Sequence, residues 1–332
     1  MRLRPILSSV LDVLCLFIAV NFLSSSSFAM DGARDFPSWL TAHIGDGDGQ
    51  IAPVVLQRAR ALYLQKVRDG VVRNSCYFAM DATRPNDLGG GSGRRFYVIC
   101  ESSRSFRAIP AGHGGGRDLG GIADFANGRR CAKNFGNAMD SDLTAGGAYV
   151  TGETKTSFKG YYRASAGQNA IFTRAFLQFD GEGETANARE RKIGGHAAAT
   201  LKGICLLRDP SSPYANGDGY VPFGNLVEYS GGRSDGCTSW APSDARQIIA
   251  MTRNNPTTLY IYPSAADVRA VARAAVAGRS VTGAGLYWNA SCLRDIRVPK
   301  YWPREILEPI LARYERDHPP PPPRPIPICK GR

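Results

Sequence analysis

A succession of short β-type runs separated by glycine-rich turns most constrains the fold of this chain. The runs read CYFAMD, RRFYVICE, FRAIPAG, GGAYVTGE, AFLQFD, YVPFGNLVEY and TLYIYP. Each is short, rich in aromatic and branched residues, and bounded by turn formers, which is typical of strands. With 332 residues and 43% apolar content, the chain can bury a large core without metal ions or disulfides. These features predict a mostly β, α+β domain.

Two amphipathic helices are predicted beside the strands. Residues 53–69 carry apolar side chains at a 3.6-residue period, with Pro53 at the start and Gly70 just past the end. The segment SDARQIIAMTR predicts a second helix, with Ser243 or Asp244 as its N-cap.

The C-terminal part of the chain has a different character. Residues 264–277 and 303–317 predict two further helices, the second disturbed by Pro309. The tail HPPPPPRPIPICKGR predicts an extended polyproline arm outside the core. The resulting division is a signal peptide at 1–29, a linker at 30–52, the main domain at 53–262, a helical extension at 263–317 and a proline-rich tail at 318–332.

The first 29 residues predict export. Arg2 and Arg4 form a basic start, VLDVLCLFIAVNFL forms an apolar core, and small residues lead to a cleavage site after Ala29. The apolar run is shorter than the roughly 20 residues of a membrane span, and Asp12 interrupts it. An uncleaved anchor is therefore the weaker alternative, and we expect no stable membrane insertion after cleavage.

The cysteine count is informative in an exported chain. Of eight cysteines, removal of Cys15 with the signal peptide leaves seven, so at least one thiol is free or pairs outside the chain. Cys76 and Cys100 flank a predicted hairpin. The remaining cysteines besides Cys237 are Cys131, Cys205, Cys292 and Cys329, and the sequence does not decide their pairing. No CxxC spacing occurs, so we expect no zinc site.

The net charge of +12 favours a negatively charged partner. Nucleic acid, anionic lipid and acidic polymers all satisfy the charge. The predicted export signal disfavours nucleic acid.

The stretch GGRSDGCTSW surrounds Cys237 with groups that suit a nucleophile. A thiol reacts as thiolate, so it needs a base or positive charge and donors for the developing oxyanion. Arg233 and the following helix N-terminus would lower its pKa, Ser234 could orient an imidazole, and Gly236 opens the backbone to a substrate carbonyl. From these residues alone, a structural half-cystine is an equally good interpretation.

Four histidines limit the choice of base. His43 and His318 lie in polar or proline-rich surroundings where solvation is expected. His113, in AGHGGG, and His196, in GGHAA, lie where predicted strands end in small residues. Either of these two could also be an ordinary turn histidine.

Five segments occur in an order and rough spacing that resemble a known family. They are RRFYVIC, AGHGGG, GGAYVTGET, NARERKIGGHAA and GRSDGC. Over about residues 53–262 the chain resembles the murein L,D-transpeptidase catalytic domain family, the YkuD-type cysteine transpeptidases. GAYVTGET and GRSxGC are the most specific of these signals.

The family's base histidine lies in a pattern like N-A-R-x-R-x-I-x-x-H-G-A, for which two registers exist here. With RAFLQFDG as that strand, Phe179 or Asp180 would replace the histidine. The second register is in phase at Asn187, Ala188, Arg189, Arg191, Ile193, His196 and Ala198. We therefore take His196 as the counterpart of the family's base.

The chain departs from the family pattern at three positions and in one segment. Ala197 replaces a glycine, Asp235 an aromatic residue and Thr238 a proline. Residues 200–228 look inserted, as a lid or a disulfide-tethered loop. The charge of Asp235 beside Cys237 opposes thiolate formation.

The resemblance implies a β-sandwich-like domain with the cysteine at its rim. It implies that Cys237 attacks the L-centred link of a peptidoglycan stem peptide and forms a thioester, with His196 as base and Ser234 in support. The residues implied in substrate and oxyanion binding are His113, Arg233, Gly236, Thr151 and Gly152. No cofactor or metal is implied. The alternatives are an L,D-carboxypeptidase or endopeptidase and a catalytically weak wall-binding module.

Overall fold

The computed structural model describes residues 36–86, 93–128, 130–165, 167–229 and 233–330. The predicted signal peptide and its cleavage site lie outside these residues. The chain from Pro37 to Arg332 forms one compact unit.

Strands hold more of the structure than helices, which confirms the mostly β, α+β class with flanking helices. The helices are α1 (Pro53–Arg68), α2 (Pro242–Thr252), α3 (Ala265–Val276), α4 (Ala290–Ile296) and α5 (Arg304–Asp317), with 3₁₀ turns at Ser38–His43 and Gly183–Ala188. The strands are β1 (Cys76–Asp81), β2 (Arg94–Cys100), β3 (Ser105–Pro110), β4 (His113–Gly114), β5 (Asn134–Gly136), β6 (Gly147–Arg163), β7 (Asn169–Gly181), β8 (Gly194–Ala197), β9 (Ala199–Arg208), β10 (Tyr220–Glu228), β11 (Arg233–Ser234), β12 (Thr238–Trp240), β13 (Thr258–Tyr262) and β14 (Lys300–Trp302).

Most strands join one mixed sheet in the order β12-β8-β7-β6-β13-β1-β2-β3, and β10 and β9 branch from β6. β4 pairs with β11 and β5 pairs with β14 in two small parallel pairs. β12 lies at one end of the main order and pairs in parallel with β8. The chain around Cys237 therefore enters the sheet at an end strand.

The sheet is buried on both faces at β1 and β2, which explains their nearly continuous apolar runs. On one face, Tyr77 stacks on Tyr63 of α1 with ring centroids 4.7 Å apart. On the other, Phe96 meets the edge of Trp240 at 5.1 Å. Trp240 ends β12, so the core and the strand that follows Cys237 share a packing contact.

The helix predictions hold closely except at one terminus. α1 ends at Arg68, and α3 and α5 lie within a residue or so of their predicted bounds. α2 begins at Pro242 with Ala241 as N-cap and no side-chain cap, so the predicted cap at Ser243 or Asp244 is wrong. Proline fits the first turn because its φ is already helical and its missing N–H has no partner there.

Residues 200–228, which looked inserted, form most of the β9–β10 hairpin, and β10 pairs with β6. The hairpin also holds the tail, because Leu206 and Ile328 form a parallel bridge. The helical segment after residue 262 packs into the core of the sheet through Val268 and Val271 of α3.

Three disulfides join the cysteines of the described residues other than Cys237. Cys76–Cys100 crosses the β1–β2 hairpin as its sequence position suggested, and the others are Cys131–Cys292 and Cys205–Cys329. Cys237 is the free thiol of this part of the chain. The disulfides fit an oxidising compartment. None of the helices described here is long and apolar enough to cross a membrane.

Candidate active site

The loop that carries Cys237 is held between two parallel strand pairs. Before it, Ser234 of β11 lies opposite Gly114 of β4. After it, Thr238 of β12 lies opposite Gly195 of β8. Inside the loop, the Ser234 hydroxyl donates to the carbonyl of Cys237. The backbone on both sides of the thiol is therefore fixed.

Gly236 meets a conformational and a steric requirement of this loop. Its φ is +92°, a region that side chains disfavour. A Cβ at this position would lie 3.0 Å from Ile193 Cδ1 and 3.1 Å from the Leu143 carbonyl oxygen. Only glycine allows the loop to turn this tightly against its neighbours.

The Cys237 thiol is half-buried against the turn before β8, with Sγ 3.5 Å from the Lys192 carbonyl oxygen. Burial raises the pKa of the thiol, and the charge of Asp235 raises it further. A backbone hydrogen bond from Gly194 and the charge of Arg191 act in the opposite direction. Since the net shift is upward, the resting group is a neutral thiol.

His196 lies in β8 opposite Ser239 of β12. Ser239 is the second residue after Cys237. The His196 ring is buried, and Nδ1 lies 2.9 Å from the Ala197 carbonyl oxygen. This contact requires the proton on Nδ1 and leaves the lone pair on Nε2. Burial lowers the pKa of His196, so the ring is neutral at pH 7. None of the hydrogen bonds of the described residues joins the ring directly to the thiol.

Arg191 is the positive group that the sequence argument missed. Its Nη2 donates to the Leu143 carbonyl at 2.7 Å, and its charge favours the Cys237 thiolate. Desolvation lowers the pKa of this guanidinium, which still leaves it charged at pH 7. The sequence had assigned this role to Arg233, whose side chain lies outside the described part of the structure. Arg191 lies in NARERKI, but nothing local distinguishes it from Arg189.

A second carboxyl group lies near the loop. Burial raises the pKa of Asp142, and the charge of Asp235 adds to the shift. Asp235 is itself exposed. The loop thus has two acids near it as well as Arg191.

Ser234 and His113 lie beside the loop, but in roles other than those predicted. Ser234 was expected to orient an imidazole, and its hydroxyl instead binds the Cys237 backbone. His113 was expected to line a substrate cleft, but it is 1% exposed and its Nδ1 lies 3.0 Å from the Gly114 carbonyl oxygen. His113 is opposite Arg233 in the parallel β4–β11 pair, at the start of the loop.

Thr151 and Gly152 lie inside β6, which corrects their predicted place at a strand end. β6 continues past them to Arg163, and two strands separate β6 from β12. Thr151 is buried and its hydroxyl accepts the Thr257 N–H at 2.9 Å. A Cβ on Gly152 would lie 2.7 Å from Asp180 Oδ2. Thr151 thus ties β6 to the residue before β13, and Gly152 leaves room for the Asp180 carboxylate.

The described residues contain no group of three His, Cys, Asp or Glu side chains suited to a metal ion. Two grooves of the described residues, of about 370 and 290 Å³, are lined by residues other than Cys237 and His196. No protein-family model, curated protein or solved structure matches this chain.

Proposed function

We propose that this protein is an exported cysteine L,D-transpeptidase that acts on peptidoglycan stem peptides through a Cys237 thioester. One observation carries the proposal. The free cysteine of the described chain lies in a glycine-dependent loop paired to the strand that holds His196. The order of the five sequence segments adds the family resemblance.

In the first step, Nε2 of His196 takes the proton of the Cys237 thiol as sulfur attacks the carbonyl carbon of the L-centred link. Backbone N–H groups at Gly236 and Cys237 stabilise the oxyanion. The C–N bond then breaks, and the imidazolium returns its proton to the departing D-amino acid. The product is a thioester on Cys237.

In the second step, an amine of another stem peptide attacks the thioester. His196 takes a proton from the amine, and sulfur leaves and is reprotonated. With water as the attacking group, the same steps give an L,D-carboxypeptidase or endopeptidase. The choice of acceptor separates these activities, and the catalytic residues are the same.

The electrostatics suit a reaction in which deprotonation accompanies attack. Thiol and imidazole are both neutral at rest, because burial shifts their pKa values in opposite directions. Arg191 stabilises the developing thiolate, and Asp235 opposes it. The reaction therefore needs His196 to remove the proton.

The site of action follows from the predicted export and from the charge. The full chain has a net charge of +12, and a positively charged protein in the periplasm or cell wall suits a polymer that carries stem-peptide carboxylates. The three disulfides suit that oxidising location.

The test is to incubate the mature, non-reduced protein with disaccharide tetrapeptides and to resolve the products by mass. We expect loss of the terminal D-amino acid, with crosslinked dimers from transpeptidation or tripeptides from hydrolysis. Cys237→Ala should abolish both, and His196→Gln should slow them about 10²–10⁴-fold. Absence of products together with no acylation by a carbapenem would contradict the proposal.

The second candidate is a wall-binding module without turnover. The raised pKa of Cys237 and the absence of a direct hydrogen bond to His196 among the described residues favour it. This candidate predicts that Cys237→Ala binds sacculi as well as the wild type and that neither releases a D-amino acid.

A further inference from the structure

A groove of about 370 Å³ lies between α3 and β14, and its lining does not include Cys237. Its lining residues are Arg269, Ala272, Arg273, Val298, Pro299, Lys300, Tyr301 and Trp302. Three of these are cationic and none is acidic. The groove therefore combines positive charge with aromatic and aliphatic surface.

Two of the three cations are available to a ligand. Arg269 is partly neutralised by Glu184, at 3.1 Å, and lies over the Tyr301 ring. Arg273 and Lys300 are exposed and take part in no ion pair within the described chain. The lining thus keeps two uncompensated positive charges beside one that is paired.

The aromatic side chains are held by one contact outside the groove and by cations of its own lining. Trp302 donates its indole N–H to Asn134 Oδ1 at 3.0 Å, and Lys300 Nζ lies 5.8 Å from the centre of the Trp302 ring. Burial raises the pKa of Tyr301 to about 12, with a contribution from Glu184, so its hydroxyl stays protonated. The hydroxyl can therefore act as a donor.

The remaining wall is aliphatic. Ala272, Val298 and Pro299 offer surface that a free inorganic ion would leave uncovered. A guanidinium beside an ammonium suits an oxyanion, and the guanidinium fork matches a planar carboxylate best. The combination favours a carboxylate that is attached to an apolar or sugar body.

We propose that this groove is a binding site for such a carboxylate, separate from the reaction at Cys237. Arg273 and Lys300 bind the carboxylate, and Tyr301, Trp302 and the aliphatic wall contact the attached body. The inference does not require turnover, and only the choice of muropeptide as probe rests on the proposed function.

The test uses the full mature chain with Cys237→Ala, so that no turnover occurs. Tryptophan fluorescence, to which Trp302 contributes, is titrated with disaccharide tetrapeptide, with the same compound after amidation of its carboxylates, and with tripolyphosphate. The double variant Arg273→Gln/Lys300→Gln is compared with Arg104→Gln/Lys202→Gln. The control pair removes the same charges from exposed positions outside the groove.

We expect the free-carboxylate compound to bind about tenfold or more weakly to the groove variant and unchanged to the control, as loss of charge-assisted hydrogen bonds predicts. Amidation should weaken binding similarly in the parent chain. Equal binding to both variants, no binding at all, or a preference for tripolyphosphate would overturn the inference. If the groove binds but wild-type protein yields no product, only the proposed function fails.

Discussion

At the scale of single residues, burial, a backbone hydrogen bond and nearby charges set the pKa of Cys237. Burial and Asp235 raise the thiol pKa, whereas the Gly194 N–H and Arg191 lower it. Asp235 is exposed and stands where the resembling family has an aromatic residue. It is therefore the group that can be changed with least effect on packing.

Replacement of Asp235 by Asn should lower the pKa of Cys237. Removal of the negative charge favours the thiolate, so the midpoint of iodoacetamide alkylation against pH moves to lower pH. The rate is followed by mass in non-reduced protein, in which Cys237 is the free thiol of the described chain. Asp235→Glu keeps the charge and Asp218→Asn removes a remote one, and both should leave the midpoint unchanged. A midpoint that is unchanged in Asp235→Asn would show that the carboxylate is screened by solvent.

The decrease of the acylation rate at low pH, its acid limb, should reflect protonation of His196. Neutral imidazole is the active form, and burial holds its pKa below the usual histidine value. The ordinary pKa of histidine is about 6.5. Carbapenem acylation should therefore persist below that pH and decline only as the buried ring protonates. His196→Gln should be slower and lose this limb. A limb at or above the ordinary histidine value would assign it to another group.

At the scale of the elements, the loop between β11 and β12 depends on Gly236. Gly236→Ala should destabilise the fold by about 1–3 kcal/mol, since it adds both backbone strain and steric overlap with Ile193 and Leu143. Gly285→Ala is the matched control, because Gly285 has a φ of +69° and nothing within 4 Å of its Cβ position. Urea unfolding measures both. Equal losses would mean that the overlap at Gly236 relaxes freely.

Elements with local signals were predictable from the sequence. α1 has its period, proline and glycine within one segment, and the β1–β2 hairpin is bounded by cysteines. The error at Thr151 and Gly152 has a physical cause. Gly152 in the sequence predicts a strand end. In the structure, the β6–β7 pairing shifts its register between Thr151 and Thr154, and β6 continues past the glycine.

The candidate site was only partly predictable, because its contacts are distant in sequence. Cys237 and His196 were named from motifs, and the parallel β8–β12 pairing places their segments side by side. Arg191 is held by a carbonyl 48 residues away, at Leu143. No local pattern encodes such a contact, so its role required the tertiary structure.

At the scale of the whole molecule, the disulfides differ in what they connect. Cys131–Cys292 joins two buried residues of the main core that are 161 positions apart in the sequence. Cys205–Cys329 ties the β9–β10 hairpin to the exposed tail. A disulfide stabilises the folded state mainly by lowering the conformational entropy of the unfolded chain. The gain is smaller where the folded chain would also become mobile without the disulfide.

Removal of the two long-range disulfides should therefore have unequal effects. Cys131→Ala/Cys292→Ala should lower the free energy of unfolding by about 2–5 kcal/mol, because the core holds its ends together in the folded state. Cys205→Ser/Cys329→Ser should cost about 1 kcal/mol or less, because the exposed tail becomes mobile in the folded protein as well. Non-reducing urea denaturation measures both, and replacing cysteines in pairs avoids new free thiols. Equal losses would show that the tail packs on the β9–β10 hairpin as firmly as α4 packs in the core.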